Sequence, residues 1–225
     1  MYDIFHHGAV NGVTGSCHQL SLDGSLFSGD SLFSKEGSRS VLIDCGLFQG
    51  DESFDRESEG SAVDVAHLKQ IDFAIDDVKA LLVTHCHIDH VGRIPYLLAA
   101  GFTGPIYATR ATALLLPLVI EDAIKVGVTR NRSIIRSVMK RFESQLVAVD
   151  YDEWFKVEGF ETALKAKFKV AGHIIGSAYI EFDIRSATDK KRVVFSGDLG
   201  APYSPLLPAP KSPYRCDELV IESTY

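Results

Sequence analysis

Residues 80–101 read ALLVTHCHIDHVGRIPYLLAAG, and this stretch decides the fold. The run Ala80–Thr84 is apolar and is long enough only for a buried strand. It is followed by a polar cluster, after which Val91–Ala100 has helical character, with Gly101 as the expected stop. A buried strand that ends in polar residues and leads into a helix predicts a functional site at the end of that strand.

Four side chains of metal-ligand type fall within six residues directly after this strand: His85, His87, Asp89 and His90. Alternate side chains of an extended segment point to the same side, so His85 and His87 can face one metal ion together. Asp89 and His90 follow where the chain turns toward the helix, and they can face a second ion nearby. Imidazole and carboxylate ligands suit zinc, and they also suit manganese or iron.

Two later positions extend this cluster. His173 lies in AGHIIGSA and Asp198 lies in VVFSGDLG, each at the end of an apolar run with small residues around it. Either residue alone is equally well explained as a surface residue. Because both follow predicted strands, the combination predicts a shared two-metal site.

Composition narrows the class of protein. Apolar residues make up 46% and charged residues 24% of the 225, as in ordinary globular proteins. The net charge of −7 argues against a generic basic nucleic-acid binder, although metal ions could supply local positive charge. The four cysteines are scattered, which favours reduced thiols, and neither a signal peptide nor an apolar run of membrane-spanning length is present. We therefore expect a cytoplasmic protein without membrane association.

The rest of the chain alternates between β-rich and helical stretches. Helices are predicted at Ala111–Val126 and Ser133–Leu146, and Pro117 should start or kink a helix. The predicted strands are Tyr2–Phe5, Cys17–Leu22, Val41–Ile43, Pro105–Ala108, Ala163–Val170, Ala178–Ile184, Val193–Ser196 and Leu219–Glu222. Strands, then helices, then strands again predict an α+β protein with packed sheets and helices outside.

Several segments together resemble a known family. They are GAVNGVTGSCHQL, LIDCGLFQG, THCHIDHVGRIPYL, AGHIIGSA, FSGDLG and IESTY. The HxHxDH run with the later histidine and aspartate resembles the ligand motifs of the metallo-β-lactamase fold. The whole ordered set resembles its β-CASP branch, the RNA-processing nucleases related to the endonuclease of the cleavage and polyadenylation factor. One departure is Cys86, which stands where a small residue is commoner and is not expected to bind metal.

The resemblance implies an αββα sandwich of two mixed sheets around two zinc ions, with manganese or iron as other options. One ion would be held by His85, His87 and His173. The other would be held by Asp89 and His90, and Asp198 would bridge the two and act in catalysis with Asp89.

Two further carboxylates acquire roles through the same resemblance. Asp44 in LIDCG would hold a metal ligand in orientation, and Glu222 in IESTY would support a histidine of the β-CASP insert. Without the resemblance, Asp44 is explained equally well as a turn residue at the end of a strand. Glu222 is then only a carboxylate that follows a short strand. His6, His7, His18 and His67 match no ligand spacing and are interpreted as surface or core residues.

The activity implied is metal-dependent hydrolysis of RNA phosphodiester bonds by a hydroxide that bridges the two ions. A hydrolase of a thioester, lactone or β-lactam is an alternative, because the same ligands serve acyl hydrolysis. A scaffold protein that keeps the fold without catalysis is a second alternative.

The last residues carry a separate expectation. No histidine occurs between Leu199 and Tyr225, although a two-metal site of this type needs one more. We expect residues 1–221 to form the N-terminal part of a metallo-β-lactamase domain, and residues 222–225 to begin a truncated β-CASP insert. The 225-residue chain should then bind one metal ion better than two, with weak or absent activity.

Overall fold

The computed structural model describes residues 1–27, 37–49, 70–186 and 189–223. His67 and the last two residues of the expected insert lie outside these ranges. The strands within them form two sheets, so the predicted α+β class is confirmed.

The first sheet has six strands in the order β1-β2-β3-β4-β5-β6. They are β1 (Tyr2–His6), β2 (His18–Leu22), β3 (Arg39–Ile43), β4 (Val78–Leu82), β5 (Ile106–Thr109) and β6 (Leu146–Val149). The first three strands pair antiparallel, whereas β3 to β6 pair parallel. Because parallel neighbours run in one direction, the chain leaves the ends of β3 and β4 at one edge of the sheet.

The second sheet has five strands in the order β11-β10-β9-β8-β7. They are β7 (Phe155–Lys156), β8 (Leu164–Val170), β9 (Ala178–Arg185), β10 (Lys190–Phe195) and β11 (Glu218–Val220). All pairs are antiparallel except β10 with β11, which is parallel. Both sheets are therefore mixed, as the sequence predicted.

An apolar core lies between the two sheets. On β9, alternate side chains face this core (Ile180, Phe182 and Ile184), where they meet Leu20 and Val41 of the first sheet. The other face of β9 carries Tyr179, Glu181 and Asp183. The period of two along the strand thus fixes which side of the second sheet packs inward.

The helices of the described part pack on the outer face of the first sheet. They are α1 (Ile88–Val91), α2 (Ile94–Ala99), α3 (Arg110–Gly127) and α4 (Arg132–Gln145). In α3, Leu116, Ile120 and Ile124 recur every four residues and are buried in a second core. No helix of the described part is long and apolar enough to cross a membrane.

Three details differ from the sequence predictions. The expected helix at 91–100 is two short helices, because the chain breaks at Gly92 and Arg93 and Pro95 lies in the first turn of α2. Pro117 does not start a helix but lies inside α3, which begins at Arg110. Strands β6 and β7 were not predicted.

Candidate metal centre

The candidate site lies where strands of both sheets end at one rim. His85 follows β4 of the first sheet, whereas His173 follows β8 and Asp198 follows β10 of the second sheet. Backbone contact brings these ends together, since Ala178 N donates to Thr84 O at 2.9 Å. Gly197 has φ +48°, and a Cβ there would lie 2.8 Å from Thr84 Cβ, so only glycine fits between Thr84 and Asp198.

Four side chains converge on one point of this rim: His85, His87, His173 and Asp198. His87 Nδ1 lies 3.0 Å from His85 Nε2 and 3.2 Å from His173 Nε2. Asp198 Oδ2 lies 3.4 Å from His173 Nε2 and 4.0 Å from His85 Nε2. Ligand atoms around a tetrahedral zinc ion with bonds of about 2.0–2.1 Å are separated by about 3.3 Å, so this donor set fits one cation.

A second group of ligand atoms adjoins the first. His90 Nε2 lies 3.5 Å from Asp198 Oδ1 and 4.0 Å from Asp89 Oδ2. The two oxygens of Asp198 therefore face different groups, Oδ2 toward the three histidines and Oδ1 toward His90. All six predicted ligands therefore lie at this rim, four of them in one group and His90 and Asp89 beside it.

Asp44 lies directly behind His90. Its carboxylate is fully buried, with Oδ2 accepting from His90 Nδ1 at 2.8 Å and from Thr84 Oγ1 at 2.6 Å. Oδ1 accepts from the Thr84 backbone N–H at 2.7 Å. The residue adopts φ 59°, which aspartate tolerates better than most residues. These bonds fix the ring of His90 so that Nε2 faces the site.

The electrostatics favour neutral imidazole at His85 and His173 and ionised carboxylate at Asp198. Burial opposes protonation of His90, but the charge of Asp44 and the hydrogen bond to Asp198 raise the pKa of His90 above its ordinary value. Burial, reinforced by the charge of His90, lowers the pKa of His85 to about 2. Burial opposes ionisation of Asp198, yet the hydrogen bond and charge of His90 keep the pKa of Asp198 below its ordinary value. Burial likewise lowers the pKa of His173. Neutral histidine and ionised aspartate are the forms that bind metal.

Glu222 lies at the same rim, beyond the end of β11. Its Oε2 is 3.7 Å from His90 Nε2, and its Oε1 accepts from Ser16 Oγ at 2.9 Å. His18 Nε2 lies 3.8 Å from the same Oε1. Neither Ser16 nor His18 was predicted to be a site residue. The segment that contains them carried part of the family resemblance, but no ligand spacing marked either residue.

The remaining candidates lie away from the ligands. Cys86 is buried in the core beneath the helices. His7 stacks on Phe73, with ring centroids 3.7 Å apart, and bonds Gln19. All four cysteines are free thiols.

The fold and this rim of ligands define a class of metal-dependent proteins. Residues 24–218 match the model of the metallo-β-lactamase superfamily, and the chain belongs to that superfamily. The predicted fold is thereby confirmed, and the family together with the convergent His and Asp side chains implies bound metal ions.

Characterised relatives narrow the branch. The chain is 36% identical to ribonuclease TTHA0252 of Thermus thermophilus, over 97% of this chain and 42% of that protein. It is 32% identical to transcription termination factor FttA of Methanothermobacter thermautotrophicus, over 71% of this chain and 25% of that protein. It is 28% identical to Integrator complex subunit 11 of Danio rerio, over 84% of this chain and 30% of that protein. These relatives confirm the resemblance to the β-CASP RNA nucleases.

The chain covers less than half the length of each of these three relatives. The solved structure of a metallo-β-lactamase of Cronobacter sakazakii aligns with this chain at 16% sequence identity and a TM-score of 0.49. The alignment covers 90% of this chain and 62% of the other chain.

Proposed function

We propose that the protein containing this chain is a ribonuclease that hydrolyses RNA phosphodiester bonds at a two-metal centre. The observation that carries the proposal is the convergence of His85, His87, His173 and Asp198 on one point, with His90 and Asp89 adjoining. Two bound metal ions, which we take to be zinc, would ionise a water molecule near neutral pH and neutralise charge on the phosphoryl oxygens.

The chain's own residues would hold and separate the two ions. His85, His87 and His173 would hold one, Asp89 and His90 the other, and Asp198 would give one oxygen to each. Asp44 would keep the ring of His90 in place through the hydrogen bond to Nδ1, which is how buried carboxylates commonly orient metal-binding histidines.

RNA as the substrate is supported by the relatives and not by the ligands, because acyl hydrolysis would use the same ligand set. The relatives include a ribonuclease, a transcription termination factor and an Integrator subunit. The net charge of −7 is compatible with RNA binding if the metal ions supply the positive charge that phosphates need. A cytoplasmic location is part of the same proposal.

We further propose that residues 1–221 are the N-terminal part of the metallo-β-lactamase domain, and that residues 222–225 begin a β-CASP insert. The support is the match to only 42% of the length of the Thermus ribonuclease. The 225 residues on their own would then cleave RNA weakly or not at all.

The test incubates the metal-loaded protein at its full natural length with end-labelled single-stranded RNA and, separately, with a generic thioester. RNA should be cleaved, and Asp198→Asn should slow cleavage by at least about a hundredfold, the usual cost of removing one group that stabilises charge in a transition state. Asp76→Asn, an exposed carboxylate, is the matched control.

Turnover of the thioester without RNA cleavage would favour the acyl hydrolase instead. A folded full-length protein that binds no metal ion and cleaves neither substrate would favour the scaffold alternative.

A further inference from the structure

We propose that one face of helix α4 binds the phosphate backbone of the single-stranded RNA that the metal centre cleaves. This face is formed by Arg132, Arg136 and Lys140, and we call it the basic face of α4. The inference rests on the RNA substrate of the proposed function and adds a contact outside the metal centre.

The basic face is a regular row of exposed side chains. Its three residues recur every four positions, so they follow one another along α4 at intervals of about 6 Å. The helix packs on the core through a different face, formed by Ile135, Met139 and Phe142. The basic face is therefore available to a partner while α4 stays in place.

The charge of this region contrasts with the charge of the chain. Residues 123–142 contain six basic residues and no acidic one, whereas the whole chain has a net charge of −7. No carboxylate of the described part forms an ion pair with any residue of the basic face. Exposed cations of the second sheet do have carboxylate partners, at 2.9 Å for Arg185, 3.7 Å for Lys191 and 2.8 Å for Arg215. Positive charge is thus concentrated on α4 without being compensated there.

A phosphate backbone would supply the missing negative charge. Like charges four residues apart on a helix repel one another, and a bound polyanion relieves that repulsion. The guanidinium of arginine can donate two parallel hydrogen bonds to one phosphate. Ser133 and Ser137 directly follow the two arginines and are exposed, and serine hydroxyls commonly donate to phosphate oxygens. Among polyanions, RNA is the one that the proposed function already brings to this protein.

The basic face lies at a distance from the metal centre that an RNA strand can span. The first turn of α3 lies at the rim, since Thr112 Oγ1 donates at 2.9 Å to the carbonyl of Gly176, three residues beyond His173. Both ends of α4 lie away from the rim, because α4 begins five residues after α3 ends and Gln145 donates at 2.7 Å to the carbonyl of Gly104, which precedes β5.

The length of α3 sets the length of RNA that can reach both places. This helix has 18 residues and is therefore about 27 Å long. A stacked strand rises by about 3.4 Å per nucleotide, so about eight nucleotides span that length. An RNA much shorter than this would reach the metal centre without reaching the basic face.

The fluorescence anisotropy of a labelled oligouridylate, titrated with the protein at its full natural length, tests the proposal. EDTA prevents cleavage, and the potassium chloride concentration is varied. A glutamine variant with Arg132→Gln, Arg136→Gln and Lys140→Gln should bind at least about tenfold more weakly at low salt. The slope of log affinity against log salt should become shallower by about two, since each phosphate contact to a single strand contributes about 0.7.

Two further variants serve as controls. Arg185→Gln with Lys191→Gln and Arg215→Gln removes the same number and kind of charges from exposed residues that have ion-pair partners. This control variant should keep the affinity and the slope of the unaltered protein. Arg132→Lys with Arg136→Lys keeps the charge of the basic face and should keep the slope as well.

The melting temperature separates a binding role from a structural one. Glutamine forms helices about as well as arginine and lysine, and the substitutions remove like-charge repulsion along α4. The glutamine variant should therefore melt no lower than the unaltered protein. With zinc bound, it should raise KM for an oligouridylate longer than α3 and leave the cleavage of a shorter one unchanged.

The outcomes separate this inference from the proposed function. Unchanged affinity and slope in the glutamine variant, or an equal loss in the control variant, would overturn the basic face and leave the metal centre intact. A loss of affinity for polyglutamate without a loss for RNA would assign the face to an acidic protein instead. If the unaltered, zinc-loaded protein cleaved no RNA, the proposed function would fail, and the RNA surface with it.

Discussion

The carboxylate of Asp44 accepts a hydrogen bond from His90 Nδ1 at 2.8 Å, although the two residues are 46 positions apart in the chain. Parallel pairing of β3 with β4 brings them together, because Asp44 follows β3 directly and His90 lies in α1, the first helix after β4. The position of the His90 ring, a proposed metal ligand, is thus set by the register of the first sheet.

Asp44→Asn should lower metal affinity at the second site by about 10–100-fold, because the amide offers one acceptor oxygen where the carboxylate offers two. It should also lower the free energy of unfolding by about 1–3 kcal/mol, since a buried donor loses its partner. Competition titration and urea denaturation measure the two effects. Asp152→Asn is the matched control, because Asp152 has φ 65° and is exposed. Equal losses in both variants would show that backbone conformation, not His90, is responsible.

Zinc should raise the melting temperature of the chain. An ion at a hundred times its dissociation constant adds about 2.7 kcal/mol, or about 5–10 °C for a chain of this size. Differential scanning calorimetry with and without EDTA measures the shift. A variant with both His85→Ala and His173→Ala should lose most of it, and an undiminished shift there would place zinc elsewhere.

Gly46→Ala should destabilise the protein by more than about 3 kcal/mol. A Cβ at Gly46 would lie 1.5 Å from the backbone oxygen of Asp89, so the segment that carries two predicted ligands would have to move. Gly37→Ala is the control, because a Cβ there meets nothing within 4 Å. Chemical denaturation compares the two, and similar midpoints would contradict the close approach.

Cys86→Ala should leave the zinc stoichiometry unchanged and lower stability by about 1 kcal/mol, since the side chain packs in the core beneath the helices. Calorimetric titration beside the unaltered chain measures the number of equivalents. Loss of one equivalent would make the thiol a ligand, contrary to its position.

The sequence predicted strand β4, because the apolar run that stops at His85 is long enough only for a buried strand. It also placed β8, β9 and β10 within three residues at each end. It missed β6, because Leu146–Val149 continues directly from a helix, and only parallel pairing with β5 makes it a strand.

Contacts between distant residues could not be predicted in the same way. Ser16 and Glu222 are 206 positions apart and meet because β2 and β11 belong to different sheets whose rims adjoin. Nothing in the local pattern around Ser16 or His18 indicates that neighbour. The break between α1 and α2 likewise depends on tertiary contacts, since Arg93 is buried and donates to the Gly46 carbonyl.

The proposed ligands come from both sheets: four follow β4 of the first sheet (His85, His87, Asp89 and His90), and two follow strands of the second (His173 and Asp198). Elsewhere the sheets are joined mainly by apolar packing, which is non-directional. Bound ions would therefore cross-link the two sheets at one rim. When force pulls the two sheets apart, the metal-bound chain should separate first at the rim opposite the ligands. The metal-free chain should separate from either rim.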